Sequence, residues 1–418
     1  MERLPANEYP RLRVTMKRRD FFKAALALPA TSCIAPYEAF AEPEKNRVKI
    51  TDIKAMMLRS PGQTLIKIET DAGLVGYGEA GISGPAARAR IEPVKLLLVG
   101  QDPLAIERHF HKLTSQMHPY RAHIPTISGI DIALWDLAGK ITNLPVSTLL
   151  GGPFRDKIRL TINSQPANMM DPASCREWAQ RMKEDPMGWN IFKLGYMRLT
   201  DHTPDQLASA LTASELIRVQ TAFSNVREAI GSAMDIIPHG HNELDLHGAL
   251  GLARAVEPAR PIWIEDPMPI AYSESWSTLH RSSRVPIQTG EKLEMPREFY
   301  PFLQNQAVDV IQPDLAFAGG ITGTRKIADL AAMYFIPVCT HNIGTIVQTL
   351  ASVHFGASIY NFVSSEFVPQ HQIGTRVGGV APVVRNSHVD VPKSPGLGVE
   401  LNADVLRANL APGEPWWG

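Results

Sequence analysis

Seven polar residues stand at the ends of short apolar runs in the second part of the chain: Lys193, His239, Glu265, Glu291, Asp314, His341 and Glu366. From His239 onward their spacings are 26, 26, 23, 27 and 25 residues. One such residue ending a strand is far more often a solvated or capping side chain than a functional group. Six in phase are a different matter, because a repeat of one strand plus one helix brings strand-end side chains to the same height around a barrel mouth. Glu265 and Glu291 on adjacent strands, with His239 as a third donor on the strand before, make a mostly oxygen site for a hard dication, with open positions for substrate oxygens. Mg2+ is the default ion for such a site. Asp314 and His341 close neighbouring strands. A carboxylate bonded to one ring nitrogen would fix the tautomer and raise the basicity of the other, which makes a general base. Lys193 and Glu366, roughly across the mouth, would bind an incoming carboxylate by charge and by a protonated acid. A metal, a cation and a base together suit proton abstraction next to a carboxylate, since the enediolate carries two negative oxygens. The chain has no Ser/His/Asp elbow, no phosphate-type glycine loop and no Cys/His pair to suggest other chemistry.

The elements that must position these residues are legible as apolar runs at 158–163, 190–194, 235–238, 262–265, 285–288, 309–312, 336–340 and 361–364. Each gap is long enough for a helix. Eight strands that are apolar throughout predict an α/β fold of the (β/α)8 barrel type, although a doubly wound sheet shows the same alternation. Upstream, 48–58, 63–70 and 74–79 read as short antiparallel strands, with Asp71-Ala72-Gly73 as a hairpin turn. From 86 to 150 the period becomes helical, most clearly over 130–140. Strands followed by helices make a separate α+β unit.

Composition narrows the function classes. The chain has 418 residues, 42 basic against 42 acidic, and 44% apolar residues. Zero formal charge removes the electrostatic case for nucleic-acid binding. No run of 18 apolar residues occurs, so no integral membrane helix is expected. Cys33, Cys175 and Cys339 are too few and too scattered for a disulfide framework or a thiolate zinc site. Residues 1–41 read as an export signal: Lys17, Arg18 and Arg19, then Phe21-Phe22-Lys23, an apolar stretch over 24–29, and the small-x-small triplet Ala39-Phe40-Ala41. The paired arginines resemble a twin-arginine leader, which sends folded proteins to the periplasm or beyond, with Met16 a candidate start.

Several segments resemble the enolase superfamily, mandelate racemase group. They are Ile262-Trp263-Ile264-Glu265-Asp266-Pro267, Val285-Pro286-Ile287-Gln288-Thr289-Gly290-Glu291, Ile311-Gln312-Pro313-Asp314-Leu315 with Ala318-Gly319-Gly320-Ile321-Thr322, and Pro395-Gly396-Leu397-Gly398. Ala133-Leu134-Trp135-Asp136-Leu137-Ala138-Gly139-Lys140 and Leu149-Leu150-Gly151-Gly152 are similar to the same family's capping domain. Within the group, His239-Gly240-His241 and Ser394-Pro395-Gly396-Leu397-Gly398-Val399-Glu400 look like sugar-acid dehydratases of the galactonate type. The resemblance implies a capping domain over 48–155, a barrel over 156–380 and a C-terminal segment over 381–418 that returns to the capping domain. It also implies Glu265 and Glu291 as metal ligands, His341 with Asp314 as the base, Glu366 as stabiliser of the enediolate, and His241 as the acid for the departing hydroxyl. A small acid-sugar substrate, one divalent cation and a homo-oligomer follow from the same likeness.

Two departures qualify it. The family's first metal ligand is an Asp, and this chain has His239 there. Imidazole lowers the site's negative charge and suits Mn2+ or another transition ion better than Mg2+. The racemases carry Lys-x-Lys on the second barrel strand, where this chain has Lys193-Leu194-Gly195, so the base on the opposite face is missing. That favours one-base elimination of water over racemisation. An epimerase or cycloisomerase of the same fold, or a non-catalytic sugar-acid binding protein, remain as rival readings. Specificity is expected from loops near 81–86 and 118–123, where Tyr120, Arg121 and His123 would reach hydroxyl groups.

Overall fold

The computed structural model describes residues 48–60, 62, 64–116, 123–202, 210–368 and 384–417. The export signal, Cys33, Tyr120 and Arg121 lie outside the described residues.

The described residues open with a three-stranded antiparallel sheet, β1 (Ile50–Met57), β2 (Thr64–Thr70) and β3 (Val75–Ala80), in that order. The Asp71–Gly73 turn joins β2 to β3, with Gly73 at φ 74°. The 19-residue helix Ile124–Thr142 lies on this sheet. Its close approach depends on Gly76 and Gly78: a Cβ on either would collide with the helix backbone at Ala133 and Gly129. Ile53, Ile66, Ile68, Ile130, Leu134 and Leu137 fill the space between the two layers.

Eight parallel strands then close a barrel. They are β4 (Lys157–Asn163), β5 (Ile191–Gly195), β6 (Asp235–His239), β7 (Ile264–Glu265), β8 (Ile287–Thr289), β9 (Val310–Ile311), β10 (Val338–Thr340) and β11 (Phe362–Phe367). Each pairs with the next, and β11 pairs with β4 through Glu366 opposite Thr161. A closed parallel barrel replaces the doubly wound alternative. A hairpin, β12 (Val384–Arg385) and β13 (His388–Asp390), adds antiparallel to the first half of β4.

The pleat decides what faces inward. On β5, Phe192 points out to the helix layer, its ring centroid 5.0 Å from that of Trp178, while Ile191 joins Ile237, Trp263, Val310 and Cys339 in a small apolar cluster inside the barrel. Two residues further along the chain stand Lys193 within β5, His239 and Glu265 at the ends of β6 and β7, and His341 one residue past the end of β10. With a period of two, side chains that follow an inward apolar residue by two positions also face inward, one layer higher. The apolar cluster is thus the floor of the polar ring.

The C-terminal residues reach back to the first sheet. Arg59 N donates to Asn409 O (2.9 Å), Ala411 N to Met57 O (3.0 Å), and Met57 N to the Glu414 carboxylate (2.8 Å). Asp136 on the long helix joins the same junction by accepting from Tyr77 N (2.9 Å) and Leu397 N (2.8 Å). Cys175 and Cys339 are buried free thiols.

Candidate active site

Strand ends bring the seven residues together at one end of the barrel. His341 and Asp314 form the tightest pair: His341 Nδ1 is 2.6 Å from Asp314 Oδ2. The other carboxylate oxygen, Oδ1, accepts from Ala316 N (2.6 Å) and Gln348 Nε2 (2.7 Å). Asp314 is fully buried, and burial pushes its carboxyl up against the pull of these donors. With Nδ1 committed to Asp314, Nε2 of His341 faces the mouth, 3.4 Å from Glu291 Oε2 and 3.6 Å from Glu366 Oε2. Burial works to lower the His341 pKa, but Glu291, Glu366 and Asp314 outweigh it and raise it to about 10.

Lys193 is not across the mouth from Glu366. Its Nζ lies 3.1 Å from Glu366 Oε2 and 2.5 Å from Glu265 Oε1. Barrel closure explains the difference: β11 follows β4 around the ring, so only β4 separates the strands of Lys193 and Glu366. Burial disfavours the ammonium, yet Glu265, Glu366 and Glu291 hold its pKa well above the usual lysine value.

Strand β6 ends at His239, so His241 sits on the following bend, and its side chain is 59% exposed. The two imidazole centroids are 4.9 Å apart and the rings are nearly perpendicular. Glu243 holds the bend: Oε2 accepts from His241 N (2.6 Å), and Oε1 lies 3.6 Å from His241 Nδ1. Lys292 donates to His241 O (3.1 Å) and Asn242 Oδ1 (2.6 Å) from the other side. A cavity of about 710 Å3 opens beside the two histidines, with Asn163, Gln165, Arg198 and Glu243 among its lining residues.

The donor chemistry around His239 fits a divalent cation. Burial, with Lys193 and His241 adding to it, keeps the His239 pKa well below the usual histidine value, so the ring is neutral. Its Nδ1 is buried with no hydrogen-bond partner, as is Glu265 Oε2. Burying such atoms unpaired costs free energy that a ligand would offset. Glu291 is held down to about 2: burial opposes ionisation, and His341, Lys193 and Lys292 overcome it. The positions are a separate matter, for no group of three His, Cys, Asp or Glu among the described residues stands in a metal-holding arrangement. Glu265 is drawn to Lys193, and Glu291 to His341.

Of the specificity residues, His123 is the N-cap of helix Ile124–Thr142, its ring accepting from Thr126 N. Reading the sequence missed Gln348, Glu243 and Lys292. A carboxylate two residues after His241 was a signal for Glu243, whereas nothing in the text marked Gln348.

Comparison with known proteins places this arrangement. Residues 175–405 match the enolase C-terminal domain-like family, and residues 50–151 match the mandelate racemase/muconate lactonizing enzyme N-terminal domain. The chain belongs to the enolase superfamily, mandelate racemase/muconate lactonizing enzyme group. Relatives in this superfamily include a D-xylonate dehydratase of Haloferax volcanii, 34% identical over 88% of this chain and 90% of its own. A D-galactonate dehydratase of Pectobacterium atrosepticum is 30% identical over 87% of this chain and 96% of its own. Among solved structures, a mandelate racemase/muconate lactonizing enzyme-like protein from Rubrobacter xylanophilus superimposes with a TM-score of 0.81 at 27% identity, covering 89% of this chain and all of that one. Superfamily members generally use a divalent metal.

Proposed function

We propose that the protein is a metal-dependent hydro-lyase acting on a sugar acid. The observation that carries this reading is the His341–Asp314 pair, whose free ring nitrogen faces the same space as Lys193, Glu265, Glu291 and Glu366. Support comes from the dehydratase relatives, which act on five- and six-carbon sugar acids by name.

In this reading His341 Nε2 takes the proton alpha to the carboxylate, and Asp314 holds the imidazolium that results. The electron pair of the broken C–H bond moves onto the carboxylate, giving an enediolate. Its return expels the hydroxyl on the next carbon, and His241 supplies the proton that makes the leaving group water. The enol left behind tautomerises to a 2-keto-3-deoxy acid. Lys193 and Glu366, already in contact, meet the developing oxyanion by charge and by hydrogen bond. Glu265, Glu291 and His239 would hold the cation. When bound, it supplies positive charge against the negative charge on the substrate carboxylate and relieves the carboxylate field that otherwise keeps His341 protonated. His239 points to Mn2+ or another transition ion rather than Mg2+.

Screening aldonic and uronic-acid-derived compounds for loss of water, with the α-proton followed in D2O, tests the reading. Exchange and elimination with at least one compound are expected. α-Epimerisation without water loss across the panel would convert the reading to a racemase or epimerase.

Export through the segment ending at Ala41 belongs to the same proposal, and a fusion of residues 1–47 to a folded reporter should carry the reporter out of the cytoplasm. Assembly into a homo-oligomer is supported by the exposed Met333 and Phe335, 74% and 89% accessible. Sedimentation should show a species larger than one chain.

A further inference from the structure

One buried carboxylate has no part in the chemistry above. Glu79 is the penultimate residue of β3, in the N-terminal sheet, and is fully buried where that sheet meets the barrel. Its two oxygens accept from Thr345 N (2.8 and 3.1 Å), from the Thr345 hydroxyl and from Gln348 N (3.2 Å). Thr345 is the N-cap of helix Ile346–Ser358, and Gln348 lies in its first turn. The side chain of that same Gln348 donates to Asp314 Oδ1 (2.7 Å), and Asp314 Oδ2 holds His341 Nδ1 (2.6 Å). Glu79, Thr345, Gln348 and Asp314 are each no more than 1% exposed, so no water competes for these bonds.

We propose that Glu79 is a positioning residue for the base: by fixing the first turn of helix Ile346–Ser358 it aims Gln348 at Asp314, and so sets the orientation of His341 from the neighbouring domain. The proposal rests on His341 being the base. Three kinds of observation carry it. The connection is unbroken, with every link at hydrogen-bond distance. The carboxylate meets the end of a helix where backbone N–H groups lack intrahelical partners, so its charge is balanced by the group it fixes. And a carboxylate is costlier to bury than an apolar side chain of similar size, so stability alone does not account for it. Burial in fact pushes the Glu79 carboxyl up to about 7 despite its donors. The base is therefore assembled only when the two domains are docked.

Two variants separate positioning from mere structure. Gln348→Met removes the donor to Asp314 and leaves the helix cap intact; Glu79→Gln weakens the cap and leaves Gln348 in place. Each is expected to lower kcat about 10- to 100-fold with KM little changed, the usual size for outer-shell partners. The double variant should lose no more than the worse single one, because both act on one relay. In the metal-free protein, the far-downfield proton NMR resonance of His341 Nδ1–H should shift or broaden in both. Unchanged kcat and an unchanged resonance in Glu79→Gln, with only a lower Tm, would overturn the proposal, as would losses that multiply in the double variant. If the wild type dehydrates no sugar acid, the functional reading falls, and the resonance still decides the relay: a shift in Glu79→Gln supports it and its absence overturns it.

Discussion

Replacing Asp314 by Asn should silence the base while leaving the fold almost untouched. Asp314 Oδ1 receives two donors, Ala316 N and Gln348 Nε2, and Oδ2 receives one, His341 Nδ1. An asparagine must choose which side keeps the oxygen. Turning its NH2 toward Ala316 and Gln348 would leave two buried donors unpaired, each costing about 1–3 kcal/mol. The oxygen therefore stays with them, and the NH2 faces His341. Nδ1 must then accept, so the ring proton moves to Nε2, where Glu291 and Glu366 oxygens at 3.4 and 3.6 Å retain it. The nitrogen that should remove the α-proton now carries one. The same inversion in a Ser-His-Asp triad costs about 10⁴ in kcat, and a loss on the order of 10³- to 10⁴-fold, about 4–5.5 kcal/mol of barrier, is expected here. Solvent exchange of the substrate α-proton in D2O and release of the keto acid would be followed together, with thermal unfolding as the check on folding. An Asp314→Asn protein that exchanges within about tenfold of wild type would refute the tautomer argument and the base assignment with it.

Other outcomes follow from the same geometry. His341→Asn should abolish both α-proton exchange and turnover while substrate still binds, and persistent exchange would move the base to His241. His241→Asn should keep α-proton exchange but not release water; loss of both would make His241 a ligand or a second base. His239→Asp should shift the metal preference from Mn2+ toward Mg2+, read by titrating both ions into both proteins, and identical preferences would remove His239 from the ligand set. In chelator-treated protein the raised His341 pKa has a defined sign. Its contribution to stability is complete below about pH 6.5 and is lost as pH rises toward about 10. Thermal unfolding should show wild type losing stability over that window relative to His341→Asn.

The polar ring was legible because its members recur at the spacing of one strand plus one helix. The floor beneath it appears only in the structure, where Ile191, Ile237, Trp263 and Cys339 each precede a ring residue by two positions, as the strand period requires. Strand lengths were less legible: β7 and β9 hold two residues each, where the apolar runs suggested four, because ladder ends depend on the neighbouring strand rather than on the run itself. The Lys193–Glu366 contact depended on closure, which joins the last strand to the first and turns a sequence separation of 173 into 3.1 Å. Gln348 escaped notice for another reason. A glutamine inside an apolar helix carries no motif, and its role appears only when that helix is docked between Asp314 and Glu79.

That closure also bears on stereochemistry. Inverting a carbon centre requires a second base on the face opposite His341, and Lys193 stands on another strand of the same ring. Its ammonium is held between Glu265 and Glu366, each taking one contact, and the surrounding carboxylates raise its pKa. A lysine so paired does not release a proton near neutrality, and two residues further on the strand carries Gly195, which has no side chain to replace it. In the proposed reading a cation on Glu265 and Glu291 would weaken the carboxylate field that raises His341 and free it to act as the base, while Glu366 still holds Lys193, and His241 on the bend beside the cavity would be the acid. One base and one acid are what loss of water requires. Racemisation would need Lys193 to give up its proton against the pull of Glu366, beside a Gly195 that offers no second side chain.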